Sequence, residues 1–350
     1  MDEVFAASGS PRLQGAIVGL GRMGLTHLAI LRNHPLIASL SVVETSSCFA
    51  KAVEKSLGVT CYRGLDELLQ ASSPDFVIVA TPTHSHYNIA RLTLQNGIHT
   101  FIEKPLSMSV AESTELVQLA ASHHVVAQVG YVNRFNEIFS AVRTLLQSGE
   151  LGAPTHVSCE IRSPMVVKTT AESWRSRQSD GGGCLCDIAT HGIDLLNFLV
   201  GPPTGVIGSS LQSLVSEKVE DRVDVLLAYG GFTGALHVNW SDASSRKPAY
   251  RLNIETQKGR IVADQHAYKV FRTSEAAHGQ AGEWATVYIT DIAQPVRMYV
   301  RGNEFTRQLD YFIESIVLAR TDSISDASSA AEVDKVIEQI RSAGQRVRLQ

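Results

Sequence analysis

The chain has 350 residues, 44% of them hydrophobic and 19% charged, and carries a formal net charge of −4. That length suits two domains better than one core, and the composition is that of a globular protein. The charge balance offers no global basic field to nucleic acid or to an anionic membrane, so neither is an expected partner.

The first ten residues, Met1 to Ser10, lack the basic-then-apolar order of a secretory signal. From there strand and helix signals alternate. Ala16 to Gly19 reads as a strand, Met23 to Asn33 as a helix, Leu40 to Glu44 as a strand and Cys48 to Leu57 as a helix. Val59 to Tyr62 and Leu65 to Gln70 continue the alternation. Phe76 to Ala80 is unbroken apolar, as in a strand buried on both faces. A helix at Ser85–Gln95 ends at Gly97, followed by a strand at Ile98–Ile102, a helix at Ala111–Ser122 and a strand at Val125–Val129. This order predicts a doubly wound parallel sheet.

Beyond residue 130 the pattern changes. A helix is predicted over Asn133–Gln147, and then strands of period two follow. Val157, Cys159 and Ile161 oppose His156, Ser158, Glu160 and Arg162; Phe232 to Trp240 and Tyr250 to Thr256 repeat the alternation. One apolar and one polar face predict an open, mostly antiparallel sheet covered on one side by helices. Phe305, Leu309, Phe312, Ile313 and Ile316 form one late helical stripe, and Val333, Ile337 and Ile340 another. The expected division is one domain over 1–130 and a second over 131–350. No uncharged apolar run is long enough to span a bilayer.

The chemistry is concentrated in a few segments. Gly19-Leu20-Gly21-Arg22-Met23-Gly24 joins a strand to a helix, which is the setting a pyrophosphate-binding turn requires. Glu44 ends the next strand, 20 positions after Gly24, where a carboxylate bonds ribose hydroxyls. It would repel a 2′-phosphate, so NAD is expected in preference to NADP. Thr81, Pro82 and His86 follow the fourth main strand, either capping a loop or touching the cofactor. Glu103-Lys104-Pro105 follows the fifth, where a lysine cation would stabilise a developing alkoxide. Asp187 and His191, spaced i, i+4 after the glycine run at 181–183, would share a helix face as acid–base partners. The glycines suggest close approach of a ligand or a mobile edge. Lys168, Trp174, Arg175 and Arg177 precede them in a loop suited to an anionic or nucleotide-linked sugar, or simply to solvent. The five cysteines, at 48, 61, 159, 184 and 186, are scattered and odd in number, which fits a reduced cytoplasmic protein. Cys184, Cys186 and His191 lack zinc spacing, and no metal is expected.

In this order the segments resemble the glucose–fructose oxidoreductase/inositol dehydrogenase family (Gfo/Idh/MocA): GLGRMG, ATPTHSH, EKP, GYVNRF at 130–135 and GGGCLCDIATHGID. The resemblance implies a Rossmann domain with an open-sheet α+β domain, and NAD-linked redox chemistry on sugars or cyclitols. It implies Lys104, His191 and Asp187 as catalytic residues, and Gly19, Gly21, Arg22, Met23, Gly24, Glu44, Thr81, Pro82, His86, Glu103 and Lys104 around the cofactor. Arg134, Asn133 and Trp174 would join Lys104, Asp187 and His191 at the substrate. Members usually read Asn-Arg-Arg-Phe where this chain reads Val-Asn-Arg-Phe, and Asp194 fits the pattern as structure. The implied activity is oxidation of a secondary sugar hydroxyl, and the chain also looks similar to members that oxidise C3 of UDP-linked amino sugars, which makes a UDP-N-acetylhexosamine the expected substrate. Free-sugar or inositol dehydrogenase, an enzyme cycling tightly held NAD without net redox, and a non-catalytic NAD sensor are the alternatives. A homodimer or homotetramer is implied.

Overall fold

The computed structural model describes residues 12–165, 174–273, 282–320 and 323–347. Lys168 lies outside the described residues. The chain divides into two compact units: residues 1–132 with 296–331, and residues 133–295 with 332–350.

The first unit holds a six-stranded parallel sheet in the order β3-β2-β1-β4-β5-β6. Its strands are β1 (Leu13–Val18), β2 (Ile37–Val43), β3 (Thr60–Tyr62), β4 (Phe76–Val79), β5 (His99–Ile102) and β6 (Ala127–Val129). Between them run α1 (Arg22–Leu31), α2 (Ser47–Leu57), α3 (Leu65–Ala71), α4 (His86–Gln95) and α5 (Val110–Ser122). Every side chain of β4 is buried, as a central strand covered on both faces demands. The strand order reverses between β1 and β4, so loops leaving their carboxyl ends flank a crevice where ligands of such sheets bind.

This core is completed from far along the chain. The helix Asn303–Val317 places Leu309, Phe312 and Ile313 among Ile17, Phe76, Ile78 and Phe101. Phe312 meets Phe76 edge-on at 5.8 Å and Phe101 at 5.7 Å. The contacts therefore differ from the expected boundary, because the apolar stripe of this helix fills the first core, and residues 296–331 belong with residues 1–132.

The second unit contains nine further strands: β7 (Pro154–Arg162), β8 (Gly205–Gln212), β9 (Arg222–Ala228), β10 (Thr233–Asn239), β11 (Ala249–Thr256), β12 (Gly259–Ala263), β13 (Ala267–Arg272), β14 (Trp284–Tyr288) and β15 (Gly344–Val347), in one sheet ordered β14-β13-β12-β11-β7-β10-β9-β8-β15. Pairing is antiparallel except β7 with β10 and β8 with β15. In β7 (Pro154–Arg162), β10 (Thr233–Asn239) and β11 (Ala249–Thr256), alternate side chains are buried, as period-two spacing predicts. The buried face meets α6 (Glu137–Gln147), a π-helical turn at Leu185–Ala189 and α7 (Thr190–Val200).

One expectation changes here. The helix predicted over 133–147 is broken: Val132–Phe135 is a short 3-10 turn, and Asn136 caps α6 by accepting from the Ile138 and Phe139 amides. Asparagine competes for backbone donors and so starts a helix instead of continuing one. The segment 178–200, with the π turn and α7 at its centre, is apolar enough to cross a membrane by length and composition alone, but 83% of its window is buried in the fold, the character of a core segment.

Candidate active site

In the first unit β1 ends at Val18 and the chain turns at Gly19, whose φ of +91° lies in the left-handed region. A Cβ on Gly24 would sit 1.9 Å from the Gly19 carbonyl oxygen, so only glycine lets α1 approach so closely. Around Gly21 nothing comes within 4 Å of a Cβ position. Open space therefore lies beside the first amides of α1, which have no acceptor within the helix. A close-packed base under an open helix N-terminus fits a pyrophosphate. Arg22 is exposed and Met23 half-buried at this rim. Glu44 accepts from the Leu20 amide at 3.2 Å and the Ser46 amide at 2.8 Å, which fixes its carboxylate beside the turn with lone pairs left for ribose hydroxyls. The sequence spacing missed Arg63, which donates to the neighbouring Thr45 carbonyl.

Lys104 is half-buried and follows β5 through a cis bond to Pro105. The groups around it are fixed from below. The ring nitrogens of His86 face the Pro105 carbonyl at 2.8 Å and the Thr81 carbonyl at 2.9 Å, tying the β4 and β5 loops together. Burial pushes the His86 pKa down, against the pull of both carbonyls. His86 is thus an enclosed group that supports both loops. The Glu103 carboxylate is buried and accepts from His27 Nε2 at 2.6 Å. Burial acts to raise its pKa, but the hydrogen bond and field of His27, with Lys104 and His86, outweigh this and hold it below the ordinary value. His27 is a site residue that sequence reasoning passed over; a histidine among the apolar positions of α1 was the available signal. Thr81 is half-buried and Pro82 exposed at the mouth of this loop.

In the second unit Asp187 is buried within the π turn and His191 lies half-buried in the first turn of α7. A π turn carries about one extra residue, so the i, i+4 alignment of a uniform α-helix does not apply across this join. Arg175 Nε donates to Asp187 Oδ2 at 2.7 Å. The guanidinium also lies 4.5 Å from the centre of the Trp174 ring. The glycine run has an internal cause instead of a ligand: a Cβ on Gly182 would fall 2.3 Å from the Arg175 carbonyl oxygen. Glu220, also unforeseen, accepts from the Leu185 amide at 2.9 Å and secures the start of the turn.

Arg134 clasps Asp194 through Nε and Nη2, with contacts as short as 2.6 Å, and both are buried. Its guanidinium is therefore held in place by the protein itself. Asn133 is buried, and its Nδ2 finds no protein partner among the described residues; Tyr250, on which its side chain acts, is buried as well. Tyr250 was legible only as a core position. Arg177 pairs with Asp180 at 2.6 Å instead of standing as an open cation. Cys184 and Cys186 are buried, and burial pushes the Cys186 thiol up to about 11. Among the described residues no three metal-ligating side chains converge.

A parallel sheet with a glycine turn and acidic ribose partner, followed in sequence by an open mixed sheet, defines a two-unit dinucleotide-binding protein. Two family models match: the oxidoreductase family with an NAD-binding Rossmann fold over residues 13–131, and the GFO/IDH/MocA C-terminal domain over residues 139–262. The chain belongs to this family and is an NAD-binding oxidoreductase. It is 22% identical over 320 residues to myo-inositol 2-dehydrogenase of Thermotoga maritima, covering 88% of this chain and 90% of that one. It is 26% identical to UDP-N-acetylglucosamine 3-dehydrogenase of Acidithiobacillus ferrooxidans, over 69% of this chain and 71% of the relative. A levoglucosan dehydrogenase solved with NADH and levoglucosan shares the fold, with a TM-score of 0.82 at 21% identity over 95% of this chain and 97% of that one.

Proposed function

We propose that this protein oxidises a secondary hydroxyl of a sugar, with C3 of a UDP-linked N-acetylhexosamine as the preferred substrate. The observation that carries the reading is Lys104, held by its neighbours at the carboxyl end of β5 in the same unit as the glycine turn and Glu44. Bound NAD supplies the hydride acceptor. Gly19, Gly21 and Gly24 hold its pyrophosphate, and Glu44 its ribose. Lys104 donates a hydrogen bond to the substrate oxygen and stabilises the negative charge that develops there. His191 takes the hydroxyl proton, for which an imidazole is suited near neutral pH. Asp187 orients the site, and Asn133 Nδ2 offers a donor to a neighbouring hydroxyl. The UDP-sugar preference is supported by the N-acetylglucosamine dehydrogenase relative. A cyclitol or free sugar is the second reading, favoured by the inositol dehydrogenase likeness over most of the chain.

The test is NADH absorbance with NAD and a panel of UDP-sugars, free sugars and inositols. Lys104→Ala and His191→Ala are each expected to lower the rate about 10²- to 10⁴-fold while NAD binding persists. Full turnover in either variant refutes the assignment; turnover with inositol alone favours the second reading.

A further inference from the structure

We propose that Arg175 is a positioning residue, the group that fixes the carboxylate of Asp187 for the reaction. The inference rests on the function proposed above. Three independent contacts hold Arg175. Its side chain meets Asp187 Oδ2 at 2.7 Å, with the carboxylate side chain 5% exposed and the arginine 31% exposed. Its guanidinium is stacked on Trp174. Its carbonyl accepts from the Gly183 amide at 3.1 Å, at a place where a Cβ on Gly182 would fall 2.3 Å from it.

The loop is closed further by the Arg177 amide on the Trp174 carbonyl and the Gly182 amide on the Arg177 carbonyl, both at 3.0 Å. Gly183 then accepts from the Asp187 amide at 3.0 Å. The same short loop thus grips Asp187 by its backbone and by its carboxylate.

The surroundings give the ion pair its purpose. Asp187 lies in a mostly buried π turn, and its field reaches Cys184 on the same segment and Tyr250 on β11. Neither of those groups brings a positive charge. A buried carboxylate without a counter-charge takes up a proton or turns toward water. Arg175 holds the carboxylate in one orientation, and the Trp174 ring packs against the arginine itself. Trp174 acts through this stack, not as a wall against the substrate.

The experiment compares Arg175→Gln and Arg175→Lys in the full chain, using the sugar that the wild type oxidises. A carboxylate displaced by about 1 Å costs on the order of 10²-fold in rate. Arg175→Gln is therefore expected to lose about 10- to 100-fold in kcat while KM stays within about threefold, and Arg175→Lys to recover most of the loss. An unchanged kcat, a loss confined to KM, or a lysine no better than glutamine overturns the proposal. A double-mutant cycle of Arg175→Gln with Asp187→Asn, read by urea midpoints, checks the pair without any turnover. Non-additive midpoints are expected, and additive ones overturn the pairing. A wild type that oxidises no sugar refutes the proposed function itself, whereas an active wild type beside an unaffected Arg175→Gln refutes only the role of Arg175.

Discussion

At the residue scale, the pair of Glu103 and His27 shows how a buried charge supports a neighbouring functional group. Glu103 precedes Lys104, and its amide bonds the Val79 carbonyl while its side chain meets His27. Because its folded pKa is held below the unfolded value, it contributes stability that is present above the unfolded pKa and is lost as pH falls through the folded one. Glu103→Gln keeps the shape and removes the charge. Wild type is expected to be more stable than this variant by about 1–3 kcal/mol above about pH 5, with the difference shrinking below about pH 4. Denaturant unfolding across pH measures this, and a difference that grows on acidification contradicts it. Gly19 and Gly24 were legible because close backbone approach leaves no choice of residue type. Arg63, Glu220 and Tyr250 were not, because each acts on a partner distant in sequence.

At the scale of elements, capping and clasping decide how the second unit presents its polar groups. Asn136 breaks a run that periodicity alone extends, and the π turn at 185–189 shifts Asp187 out of simple helical phase with His191. Apolar spacing reports a period and says little about a local change of pitch, so neither break was visible. Arg134 sits just before that cap, and Asp194 just after the π turn. Asp194→Asn leaves the buried arginine without its counter-charge, which costs about 3–5 kcal/mol. The urea midpoint is expected to fall with an unchanged slope. A variant as stable as wild type would show that the clasp is dispensable.

For the whole molecule, alternation along residues 13–129 foretold the parallel sheet, and period two foretold the open one. What the pattern left out was the address of the late helix. An amphipathic stripe states that a core exists for it, and not which core. Phe312→Ala is expected to destabilise the first unit by about 3–5 kcal/mol, since its ring bridges Phe76 and Phe101. A loss of NAD affinity on mild warming, preceding changes in the second unit, is the expected readout. Equal loss in both units at one temperature would show that they unfold together.

The sequence order of that helix also sets a timetable for biosynthesis. Translation delivers residues 1–132 first, yet the aromatic cluster of their core lacks Phe312 until the ribosome has passed residue 317. All the strands of the open sheet through β14 emerge in the interval. The nascent nucleotide-binding unit therefore waits, with apolar surface uncovered, while most of another sheet is made. Chaperone contact with this chain is expected to concentrate in that window, as it does wherever hydrophobic surface is exposed during synthesis.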